Sequence, residues 1–268
     1  MVNPLRHWAL ALSFLTIAPL AVSGIIPDDI RRSSTFFPLT GWVIGVVLVL
    51  CALGTAAAGM DPLLGGAVLV AIEAWITRGL HLDGVADLCD GLGGGQDPEQ
   101  RLAIMKDSST GAFGAVGLVL TLVLKTAGIA VLLDKGLFLF IAFVPAAARW
   151  AIVILSWCST YPRKKGTGHP FVELITGKEV LFGFLGLLLP VFILSPFFRF
   201  TFRLPIPTLH FPYHLLPVLL VLFFALLPAF YLRIRGNRLL GGVTGDVLGA
   251  SCEFGEVLGF AAASVLLI

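Results

Sequence analysis

Three aspartates, Asp83, Asp87 and Asp90, stand in the stretch HLDGVADLCDG at residues 81–91. At about 100° per residue they fall within about 60° of one another on a helix. Carboxylates converging so closely repel, and without a partner at least one has to take up a proton. A hard divalent cation removes that conflict, because Mg²⁺ and Mn²⁺ take oxygen ligands and leave room for substrate phosphates. The plainer alternative is a solvated loop whose aspartates cap helices and fill turns around Gly84 and Gly91. The spacing D-x-x-x-D-x-x-D-G favours the metal.

Neighbouring residues extend the same chemistry. Gly91, Gly93, Gly94 and Gly95 offer a backbone able to turn tightly and present N–H groups to an anion, although simple flexibility explains a glycine run equally well. In RLAIMKDSSTGAFG (101–114), Lys106 could neutralise a phosphate, and Asp107 could add a metal ligand or a base. An interfacial anchor and a helix N-cap are the plainer roles for that pair. Asp246 opens the last apolar run, seven residues before Glu253 and on the same helix face, and suggests a second contributor to the cation site. Gly245 and Gly249 are spaced there for close helix packing. Glu73, Lys125 and Arg149 lie inside apolar runs, where unpaired charge is expensive; either an ion pair such as Glu73 with Arg149 or a phosphate-facing role accounts for them. YPRKKGTGHP (161–170) mixes three cations with glycines, as a nucleotide cradle or as a topology anchor.

The elements that must position these residues are membrane helices. The chain is 57% hydrophobic and 13% charged, with a mean hydropathy of +0.97. Eight apolar runs approach or exceed the ~18–20 residues that cross a bilayer. They cover 8–24, 36–59, 62–78, 111–133, 137–158, 179–198, 214–232 and 247–268; the third and last are shortened or polar at one end, so seven is the other count. The chain therefore reads as all-α, a single polytopic domain over 1–268 with its main active-site loop at 79–110. The first run could also be a signal peptide ending at Ala21-Val22-Ser23, but a retained helix suits a multi-spanning chain better. Cys51, Cys89, Cys158 and Cys252 are too scattered for a zinc or disulfide framework.

Charge sets the orientation. With loops alternating sides, one face receives Arg31, Arg32, Arg78, Arg101, Lys106, Arg163, Lys164, Lys165, Lys178, Arg233, Arg235 and Arg238, and the other only Arg6, Lys135, Arg199 and Arg203. The cation-rich face is expected in the cytoplasm, with the aspartates on it and both termini outside. The small net charge of +2 gives no indication of nucleic-acid binding.

These residues resemble the cobalamin synthase (adenosylcobinamide-GDP ribazoletransferase) family. The resemblance rests on GLHLDGVADLCDGLGGG (79–95), IMKDSSTGAFG (104–114), FFPLTGWVIG (36–45) and GGVTGDVLGASCEFGE (241–256), in the family's order. The chain departs from it at Ile17-Ala18 and at Ser109, where the family often has a basic residue, and at Cys89, which replaces a small one. The resemblance implies transfer of α-ribazole, or its 5′-phosphate, onto adenosylcobinamide-GDP with release of GMP. It also implies Mg²⁺ as cofactor, a bacterial or archaeal cytoplasmic membrane, and room for association with other corrinoid-pathway enzymes. Within that reaction the expected metal ligands are Asp83, Asp87, Asp90 and Asp246. Lys106, Lys125, Arg149, Gly93 and Gly94 are expected at substrate phosphate, and Asp107 at the attacking hydroxyl.

Two rivals are weaker. DLCDG (87–91) resembles the opening of the CDP-alcohol phosphotransferase signature, but Leu92-Gly93 replaces its A-R, and Asp107 lacks an aspartate four residues on. A cation transporter would use Glu73, Lys125 and Arg149, yet such sites lie near the midplane and are often built on repeats, which this chain lacks.

Overall fold

The computed structural model describes residues 3–163, 166, 168–202 and 215–267. Lys164, Lys165 and Arg203, which entered the charge count, lie outside the described residues. The helices in chain order are α1 (Pro4–Leu15), α2 (Pro27–Ser33), α3 (Phe37–Ala57), α4 (Pro62–Ile76), α5 (Leu80–Gly94) and α6 (Pro98–Ile104). They continue with α7 (Ala112–Asp134), α8 (Phe138–Trp157), α9 (His169–Leu174), α10 (Gly177–Phe202), α11 (Leu215–Leu240) and α12 (Gly245–Leu266). No strand occurs among the described residues. The chain is an all-α membrane protein.

Helix α8 is the axis of the bundle, with α3, α10, α11 and α12 packed around it. Small residues let the backbones approach: a Cβ on Gly41 of α3 would stand 2.5 Å from Ala146 Cα of α8, the close packing that holds helices together in lipid. Trp42, Leu48, Leu69, Ile129, Phe143 and Phe260 close the core around this contact. Helix α7 instead leaves Val116, Val119, Leu120, Val123 and Leu124 exposed, a stripe suited to acyl chains.

Four stretches are long and apolar enough to cross a membrane: Pro27–Ala57, Ala112–Asp134, Phe138–Trp157 and Leu216–Leu240. The pair α4 and α5 makes a fifth if its 93° bend is one broken span. That bend has a backbone cause. Arg78 (φ 56°) and Gly79 (φ 65°) are both left-handed, which ends α4 and redirects the chain.

The expected first span, 8–24, does not form. Helix α1 stops at Leu15, where the Thr16 hydroxyl donates to Leu12 O at 2.5 Å, and Ala18-Pro19 continues without helix. Its 12 residues reach about 18 Å, short of the ~30 Å hydrocarbon core. Both ends of α1 are tied to one end of the bundle. Arg6 donates to Ser23 O and Gly24 O at 2.9 Å and pairs with Asp29 at 3.1 Å. At the other end Ile17 N donates to Ile76 O at 2.8 Å, and Arg78 reaches Ser13 O at 3.1 Å. Helix α1 thus lies across the bundle end that carries the cation-rich segments, and Asn3 stands on the aspartate side, not opposite it. A cysteine placed at Asn3 and the native Cys89, each tested alone, should share one response to a membrane-impermeant thiol reagent: protected in intact cells, labelled after lysis. Labelling of the Asn3→Cys variant in intact cells, with Cys89 protected, would restore α1 as a span.

Candidate active site

Helix α5 carries the whole acidic motif on a rigid element. It crosses the start of α12 at glycine: a Cβ on Gly84 would lie 2.6 Å from Asp246 O, and one on Gly249 would lie 3.3 Å from His81 Cα. Because both crossing points lack side chains, Asp83 and Asp87 come beside Asp246. Asp83 is exposed, Asp87 and Asp246 half-buried. Thr244 caps α12, accepting from Val247 N at 3.3 Å, and its hydroxyl donates to Asp246 Oδ2 at 3.1 Å. Burial, then the charges of Asp83, Asp246 and Asp90, push the Asp87 carboxyl above its ordinary range, while Arg163 pulls it back. The donors are all oxygen and their charge is under-compensated, as a hard divalent cation with substrate phosphates requires. Among the described residues, no three acidic, His or Cys side chains converge closely enough to form a ready-made metal cage.

Asp90 has a different partner. Its Oδ2 accepts from Gly111 N at 2.7 Å and its Oδ1 from Gly114 N at 2.8 Å, so it caps the N-terminus of α7 from a neighbouring helix. Cβ atoms at Gly111 or Gly114 would collide with that carboxylate. The bare spacing put three aspartates on one arc, but the third is spent on joining α5 to α7.

The glycine run forms no anion cradle. Gly91, Gly93 and Gly94 lie within α5, and Gly95 N donates to Gly91 O at 3.1 Å, so this backbone stays in helical register. Side chains at Gly91 and Gly93 would strike Met105 and the Phe113 ring; close packing of α6 and α7 accounts for both. Lys106 and Asp107 are exposed in the α6–α7 connection. Asp107 accepts from Ser109 N at 2.8 Å, and hydrogen bonds with Ser109 hold its carboxyl below the ordinary carboxylate range.

Lys125 and Arg149 stand elsewhere, in a buried ion network with Glu73, Glu253 and Glu256 from four helices. Lys125 Nζ lies 2.9 Å from Glu253 and 3.1 Å from Glu73, and it also pairs with Glu256. Arg149 pairs with Glu256, stands 3.5 Å from Glu73, and donates to Pro145 O at 3.0 Å. Lys125 is about 20 Å along α7 from its start. Both cations face carboxylates rather than the acidic surface, and the Glu73–Arg149 pair is the one the sequence had suggested. Glu253 belongs to this network and not with Asp246.

Among the described residues, Arg163 is the cation that the geometry brings to the aspartates. Its Nη1 lies 3.8 Å from Asp246 Oδ2 and its Nη2 donates to Leu102 O at 3.0 Å. In the sequence it is one of three adjacent cations, and nothing local distinguishes it from Lys164 or Lys165.

A family model described as cobalamin-5-phosphate synthase matches residues 7–264. The chain is similar to proteins named adenosylcobinamide-GDP ribazoletransferase. That of Syntrophobacter fumaroxidans is 40% identical over 97% of this chain and 98% of the relative. Those of Geotalea daltonii (36%; 95% of each chain) and Desulfitobacterium hafniense (34%; 95% of this chain, 94% of the relative) follow the same pattern. No solved structure matches the chain.

Proposed function

Because the chain belongs to the cobalamin-5-phosphate synthase family, we propose that it joins α-ribazole, or its 5′-phosphate, to adenosylcobinamide-GDP and releases GMP. The observation that carries the site assignment is the crossing of α5 and α12 at Gly84, which sets Asp83 and Asp87 beside Asp246. In the transfer, the ribazole hydroxyl oxygen forms a bond to the cobinamide-linked phosphorus while the bond from that phosphorus to GMP breaks. The hydroxyl proton passes to a carboxylate, for which Asp107 is our candidate. Asp83, Asp87 and Asp246 would hold Mg²⁺, which supplies charge stabilisation at the transferring phosphate. Lys106 would add positive charge from the α6–α7 connection. The cation-rich end of the bundle is then the cytoplasmic face, where nucleotide-linked substrate is supplied.

A leaving-nucleotide assay tests this reading against the phospholipid-enzyme alternative. The protein in lipid vesicles receives adenosylcobinamide-GDP with α-ribazole, or CDP-diacylglycerol with an alcohol acceptor. GMP from the first mixture and no CMP above background from the second is the expected result. CMP release without GMP release would reject the assignment.

A further inference from the structure

The connection between α8 and α9 is pinned where it passes the aspartates. Val243 N donates to Thr160 O at 2.9 Å, and Tyr161 N to Glu173 Oε1 at 3.1 Å. Gly242, at φ +158°, admits this segment: a Cβ there would stand 2.4–3.0 Å-close to Thr160 O and Pro162, with Pro162 N at 3.0 Å. The next residue is Arg163. Its guanidinium is held from α6 through Leu102 O, beside the Tyr161 hydroxyl. Its separation of 3.8 Å from Asp246 is an ion pair but too long for a hydrogen bond. Its Nε is buried and has no hydrogen-bond partner.

We propose that Arg163 is the residue that binds the diphosphate of the GDP-bearing substrate, presenting its Nη1 end, the end beside Asp246, to one phosphate. The inference rests on the function proposed above and names the group that recognises the substrate's anion. Charge complementarity supports it. Among the described residues, Arg163 is the cation whose charge acts on both Asp87 and Asp246; a divalent cation on the carboxylates would leave the guanidinium available to an incoming anion. A planar guanidinium held through Nη2 keeps the N–H groups of Nη1 directed at the site, which suits a phosphate that a lysine would meet only as a point charge. Little ordering is therefore lost on binding.

The test measures binding of GDP with Mg²⁺ to the purified protein in lipid, by calorimetry, for the parent, Arg163→Gln and Arg163→Lys, with the thermal midpoint of each. Losing a charge-assisted contact should weaken GDP binding by roughly 10–100-fold in Arg163→Gln. Arg163→Lys, which keeps the charge without the fork, should fall between it and the parent, and the KM for α-ribazole should stay unchanged in both. Equal GDP affinity in the parent and Arg163→Gln, or no GDP binding by the parent, would overturn the proposal. So would an equal loss in both variants accompanied by a lowered thermal midpoint, which marks a structural role. GMP release by the parent is measured separately: its absence rejects the transferase reading, while a selective loss of GDP binding still identifies Arg163 as the phosphate residue.

Discussion

Asp87→Asn should lose about 10²–10⁴-fold of turnover, the scale of removing one preorganised electrostatic group from a transition state. Asparagine keeps the size of the side chain and removes one negative charge, so α5 and its packing should persist. Asp83→Asn and Asp246→Asn should follow, because the charges of Asp83 and Asp246 both act on Asp87 where α5 crosses α12. Higher Mg²⁺ should restore part of the activity in any variant whose defect is weak metal occupancy. Asp90→Asn should behave differently. It disturbs a cap that accepts from Gly111 N and Gly114 N, so it should cost about 0.5–2 kcal/mol of stability and leave much of the turnover of the folded fraction. Asp134→Asn is the control, an exposed residue at the far end of α7 paired with its neighbour Lys135. Full turnover in Asp87→Asn would return the cluster to capping and turn formation.

Arg149→Met should be the most destabilising single change. The side chain is wholly buried between Glu256 and Glu73, and its loss leaves three buried carboxylates facing Lys125 alone. Breaking a buried ion pair from one side typically costs about 3–5 kcal/mol, which should appear as a lower thermal midpoint and a lower yield of folded protein. Arg149→Met combined with Glu256→Gln restores the charge balance of the network, so the double variant should be more stable than Arg149→Met by itself. A parent-like midpoint for Arg149→Met would contradict the role given to the network. The same result bears on the transporter alternative, since carboxylates engaged by two cations are poorly placed to carry an ion.

Sequence and structure agree where composition alone decides. The runs that became α3, α7, α8 and α11 are long and strongly apolar, and their positions follow from hydropathy. Helix α1 was misjudged because a 17-residue apolar window does not show that Thr16–Pro19 breaks the helix, nor that Arg6 and Arg78 tie both ends to one side. Helical spacing puts Asp83 and Asp87 on one face, and Asp246 opens a helix of its own; only the glycine crossing shows that this helix start lies beside them. The same spacing included Asp90, because the donors that engage it lie 21 and 24 residues away. Charges inside apolar runs announced Lys125 and Arg149 as functional or paired, and tertiary structure decided for pairing. Arg163 was hidden for the opposite reason: it sits among other cations, and its distinction comes from Asp246 and Leu102, far along the chain.

Electron paramagnetic resonance of Mn²⁺ added to the purified protein with adenosylcobinamide-GDP tests most directly whether Asp83, Asp87 and Asp246 hold the divalent cation of the transfer. Bound Mn²⁺, displaced by Mg²⁺, is expected in the parent and is expected to be lost when Asp83, Asp87 and Asp246 are together changed to Asn in a protein that still melts cooperatively. Undiminished Mn²⁺ binding in that triple variant would contradict that assignment.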